Sequence, residues 1–132
     1  MDIPLIVAGS LALLTAAIHG VAGEREVLSR LSPEMLPSSG SAGPRMTKLE
    51  LHVSWHLGTI AFFTIGLALV LAGSVLDGDA AEGIALVAAG ASAGFAALAL
   101  ALGAAYRALT RHLAPTVLTA TAALAWLGVL SL

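Results

Sequence analysis

Four histidines, His19, His52, His56 and His112, are the side chains here best suited to chemistry. Imidazole holds haem iron, ligates Zn, Cu, Fe or Ni, and passes protons near neutral pH. His52 and His56 are four positions apart, so a helix carries them on one face. The chain has no cysteine, which excludes disulfides, thiolate metal sites and thiol redox catalysis. His52-x-x-x-His56 lacks the glutamate of a zinc-protease motif, so metal-assisted proteolysis has no support. What the imidazoles can do together depends on the elements that carry them.

Those elements are four stretches without Asp, Glu, Lys or Arg: Ile3–Gly23, Leu51–Leu76, Gly83–Tyr106 and His112–Leu132. Each reaches the roughly 20 apolar residues that a helix needs to cross a bilayer. The 132 residues are 58% hydrophobic and only 11% charged, too few polar groups to cover the outer faces of a water-soluble bundle. In lipid every backbone N–H and C=O must be paired internally, and uninterrupted apolar runs of this length fit helices rather than barrel strands. The expected fold is therefore all-α: a membrane-embedded antiparallel four-helix bundle forming one domain over residues 1–132. The first stretch reads as a retained helix, because the chain opens Met1-Asp2 without the basic start of a signal peptide. A net charge of −2 offers no basic stripe for nucleic acid, so the expected partner is the lipid bilayer.

All six basic residues lie in two connections. Arg25, Arg30, Arg45 and Lys48 fall within the loop 24–50, and Arg107 and Arg111 within 107–111. Loops rich in Lys and Arg stay cytoplasmic, which puts both termini and the acidic turn at Asp77, Asp79 and Glu82 on the outer side. The expected location is a cell membrane, the bacterial inner membrane. Pro37–Pro44 is rich in turn formers and reads as a loop, and Pro115 is suited to the first turn of the last helix.

This topology gathers the histidines toward the cytoplasmic side. His19 is five residues before Glu24 and His56 six after Glu50, so both sit about 7–9 Å inside their boundaries at 1.5 Å per residue. Matched depth on antiparallel helices makes His19 and His56 the preferred pair, with His52 as a third partner and His112 at the boundary. Two such imidazoles would hold haem iron from both sides. Three, with Glu26, would bind a transition metal. The bland alternative is hydrogen bonding to carbonyls, glutamate or headgroups. Trp55, Tyr106 and Trp126 read as interfacial anchors. Arg25 would pair with Glu50 or Glu26, or only snorkel and fix topology. In the third stretch Gly90 and Gly94 form a GxxxG, suited to packing within the bundle or to a dimer face.

The segment His19-Gly-Val-Ala-Gly23-Glu-Arg25-Glu-Val-Leu28, with Trp55-His56-Leu-Gly-Thr59, resembles an uncharacterised group of short bacterial four-span membrane proteins. There a histidine near the end of the first helix precedes a Gly-x-Arg-Glu turn, and Trp-His opens the second. The resemblance covers the first half of the chain. It implies the four-span fold, points to His19, Gly23, Arg25, Trp55 and His56, and supplies no reaction. Small multidrug transporters have a similar size but carry a glutamate within the first span, which is absent here.

Two functions of different kinds follow. One is a histidine cluster near the cytoplasmic face that binds haem or a transition metal. The other is a non-catalytic structural or accessory subunit that packs through the Ala/Gly-rich third helix in a homo-oligomer or larger membrane complex. A proton-coupled permease is weaker, because no carboxylate lies within a span to pair with the histidines.

Overall fold

A computed structural model describes residues 1–38 and 42–132. Part of the expected Pro37–Pro44 loop lies outside these residues. The described chain is helical, with α1 Ile3–Glu26, α2 Gly43–Ser74, α3 Gly78–Ala105 and α4 Leu113–Val129. Short 3-10 turns at Leu28–Arg30 and Pro33–Met35 follow α1. α1, α2 and α3 are each long and apolar enough to cross a membrane, while α4, with 17 residues, is shorter.

The helices depart from the charge-free stretches at their ends. α2 begins at Gly43, eight residues before Leu51, so Arg45, Lys48 and Glu50 belong to the helix rather than to a loop. Pro44 in its first turn gives up a donor that has no helical partner there. α1 likewise runs on through Glu24 and Arg25 to Glu26.

The chain divides into two compact units. One comprises Met1–Leu13 with Phe63–Leu132, the other Leu14–Phe62. In the first, Leu5, Ala8, Leu69, Ala72, Ala85, Ala88, Ala89 and Ala125 form a core fed by all four helices. α1 and α2 run antiparallel here in near-backbone contact: a methyl group on Gly9 would lie 2.6 Å from the Gly66 carbonyl oxygen. Asp2 ties three elements together. Its Oδ1 accepts from the Leu5 backbone N–H at 2.8 Å, capping α1. Its own N–H donates to the Gly73 carbonyl at 2.7 Å. Its Oδ2 accepts from the Ser131 hydroxyl at 2.6 Å, at the far end of the sequence.

Most of the buried hydrophobic residues are alanine, while many of the large ones point outward. On α1, Ile3, Val7, Leu14, Ile18 and Val21 are exposed and Ala8, Ala12 and Ala16 buried. On α3, Leu86, Val87 and Leu98 are exposed and Ala85, Ala88, Ala89 and Ala96 buried. Small residues let helices approach closely where van der Waals contact, and not water, drives association.

Candidate functional site

The second unit holds the end of α1 and the start of α2, and with them His19, His52 and His56. Depth alone paired His19 with His56, but side-chain direction sorts them differently. Successive helical residues are separated by about 100°, so Trp55 and His56 point in different directions, and only Trp55 stacks on His19.

Trp55 faces His19. The two rings stack at 4.5 Å with an interplanar angle of 14°, and the indole Nε1 donates to the His19 carbonyl oxygen at 2.8 Å. One turn along α2, the Thr59 hydroxyl lies 2.9 Å from His19 Nδ1. Thr59 also reaches its own helix at the Trp55 carbonyl, 3.4 Å away. When the hydroxyl proton goes to the Trp55 carbonyl, His19 Nδ1–H donates to Thr59 Oγ1 and Nε2 keeps its lone pair; in the other tautomer the Thr59 hydroxyl donates to Nδ1. Phe62 meets the imidazole edge-on at 5.4 Å. Trp55 is thus half-buried in the helix pair rather than free at an interface.

Two glycines of α1 make the approach possible. A methyl on Gly23 would overlap the Trp55 indole, and one on Gly20 would lie 2.9 Å from Thr59 Cγ2. Gly23 therefore supports the site by its lack of a side chain. Gly20, which the sequence reading passed over, does the same.

His52 and His56 occupy the neighbouring face of α2 and converge on Glu24. Its Oε2 lies 3.4 Å from Nε2 of each imidazole. His52 Nδ1 is 3.3 Å from the Lys48 carbonyl, an oxygen that can only accept. The three side chains are partly exposed, between 29% and 44%. The carboxylate is Glu24, just past the charge-free stretch on the extended end of α1, a glutamate partner of the kind the sequence allowed. Glu26 is occupied elsewhere, in an ion pair with Arg30 at 2.7 Å. Arg25 is exposed and, among the described residues, joins no ion pair with Glu26 or Glu50. Among the described residues, no three His, Asp or Glu side chains are gathered into a group that could hold a metal ion.

The remaining candidates lie in the first unit. His112 caps α4, its Nδ1 accepting from the Ala114 backbone N–H at 3.2 Å. Gly90 and Gly94 are exposed, and a methyl on either would meet nothing within 4 Å. The inward face of α3 is instead made by Ala81, Ala85, Ala88, Ala89, Ser92 and Ala96. Tyr106 is 80% exposed and Trp126 38%. Compared with protein-family models, with curated proteins and with solved structures, the chain matches none.

Proposed function

We propose that this chain is a small integral membrane protein of the structural or accessory kind. In this reading four helices cross the bilayer of a bacterial inner membrane, both termini lie outside, and the connections 24–50 and 107–111 are cytoplasmic. Support for embedding comes from the helices' inverted pattern, alanine inward and Leu, Ile and Val outward, which lipid solvates and water does not. Support for orientation comes from the one-sided distribution of the six basic residues.

The observation that carries the structural reading is the bond from Trp55 to His19 over Gly23. The most enclosed of these polar groups are spent on one another, fastening α1 to α2, and among the described residues no buried side-chain N or O lacks a partner. The open surface around Gly90 and Gly94 then serves docking on a second copy or a larger complex.

A second reading, cation binding, is favoured by Glu24 and His52. If His52 Nδ1–H donates to Lys48, its Nε2 faces a carboxylate oxygen at 3.4 Å. Two acceptors facing each other leave room for a cation, and a transition-metal ion would enter after small side-chain movements. Haem on His19 Nε2 belongs to the same class of readings.

One experiment separates them: an absorption spectrum with metal analysis on detergent-purified wild type and His56→Ala. The structural reading expects colourless, metal-free, folded protein that His56→Ala leaves intact. A Soret band, or about one equivalent of metal that His56→Ala removes, overturns it in favour of the second.

A further inference from the structure

The turn between α3 and α4 carries positive charge with no acid close to it in sequence. Arg107 and Arg111 are its ionised residues, and no Asp or Glu follows Glu82. Both arginines are exposed. Arg107 sits at φ 53°, a left-handed conformation that costs a non-glycine residue energy. The turn folds back on α3: a methyl on Gly103 would lie 2.8 Å from Leu109 Cδ2 and 3.2 Å from Pro115 Cγ. Beside this contact lies an open apolar groove of about 270 Å³, lined by Ala99, Leu102, Gly103 and Pro115 among others, with Tyr106 and His112 as its two polar-tipped members. Each of those two has an arginine as its chain neighbour. Because His112 Nδ1 accepts from Ala114, the ring proton sits on Nε2, which is a donor.

Helix length points the same way. The 17 residues of α4 make about 25 Å of helix, against about 30 Å of hydrocarbon. A span that falls short is accommodated by thinning of the bilayer or by snorkelling of flanking residues, and Arg111 flanks the start of α4. An arginine pair there meets phosphate rather than acyl chains.

We propose that this corner binds one anionic phospholipid. An acyl chain lies in the groove, and Arg107, Arg111, His112 Nε2–H and the Tyr106 hydroxyl take the phosphate, the guanidinium groups by paired N–H donors. The site rests on the membrane reading given above.

The test uses full-length protein delipidated in detergent and reconstituted into phosphatidylcholine vesicles with a minor fraction of phosphatidylglycerol. Lipid retained by the re-extracted protein is measured by mass spectrometry. Wild type retains phosphatidylglycerol with about tenfold or greater enrichment, as two arginines near a membrane surface warrant. Arg107→Gln with Arg111→Gln brings the enrichment to near unity, and the corresponding double lysine variant, which keeps the charge but not the paired donors, restores only part of it. Ala99→Phe, which fills the groove and keeps both arginines, lowers it as well. Arg30→Gln with Arg45→Gln, the same loss of charge elsewhere, leaves it unchanged. Equal loss in that control, retention in the Arg107/Arg111 glutamine variant, or displacement of the lipid by excess inorganic phosphate overturns the site. A chain that enters vesicles without enrichment refutes the lipid site alone. One that fails to enter them refutes the membrane reading and the site with it.

Discussion

The indole of Trp55 stands where a side chain on Gly23 would stand. α2 thereby lays its largest residue flat against the backbone of α1, and the indole N–H reaches the His19 carbonyl. A glycine on one helix and a tryptophan on the other work as a single device: neither placement is possible without the other.

Gly23→Ala should therefore displace the indole and break that bond. Overpacking of this kind costs about 1–3 kcal/mol. Gly90→Ala, inside α3 at a position open to the surroundings, should not destabilise, and alanine's better helix propensity adds up to about 1 kcal/mol. Unfolding of the two variants in detergent, followed by circular dichroism, makes the comparison. Equal effects would refute the packing account.

Trp55→Phe keeps an aromatic ring but removes the donor together with the five-membered ring of the indole. The expected loss is the about 0.5–1.5 kcal/mol of the bond plus the packing of the missing ring against Gly23 and His19. Thr59→Val, nearly isosteric, takes away the oxygen that meets His19 Nδ1 and should cost an amount similar to the bond alone. In the wild type the Trp55 indole proton should exchange slowly with solvent by NMR. Rapid exchange would contradict the bond to His19.

Glu24→Gln and His56→Ala should affect stability little. Their contact is long and partly exposed, and ion pairs in such settings contribute about 0–1 kcal/mol. A loss comparable to that of Gly23→Ala would mean that the Glu24 cluster, and not the Trp55 contact, fastens the two helices.

With no native cysteine, orientation can be read with single introduced thiols. Asp79→Cys should react with a membrane-impermeant maleimide in intact spheroplasts. Ser29→Cys and Thr110→Cys should react only after lysis. The reverse pattern would invert the proposed topology.

The four helices were legible because uninterrupted apolar runs of about 20 residues fit helices rather than short alternating strands. Their ends were less legible. Arg45, Thr47, Lys48 and Glu50 are polar yet continue α2, since a helix does not stop where the apolar run stops. Counting residues put His19 level with His56, one position along α2 from the Trp55 that meets it. Rotation about the axis was not legible, because a span apolar on all sides carries no amphipathic stripe to say which residue faces inward. Hence His56 was paired with His19, whereas Trp55 and Thr59 take that face and His56 turns to Glu24. A glutamate partner for the histidines was legible, but not which one: Glu24 marks the edge of a charge-free stretch, and α1 runs past it to Glu26. The pairing of Gly20 with Thr59 had a signal in retrospect, a second glycine three residues before Gly23.

The hydrogen bond between Ser131 and Asp2 makes the chain nearly a closed ring. Its two ends are within a side chain of each other, so a linker of a few glycines and serines from Leu132 to Met1 would seal it without disturbing the caps at either end. The molecule can then be cut open elsewhere, at the 107–111 turn for instance, and produced as a circular permutant. Two copies can also be joined head to tail as a tandem, so that a property of a pair is measured in one polypeptide of fixed stoichiometry.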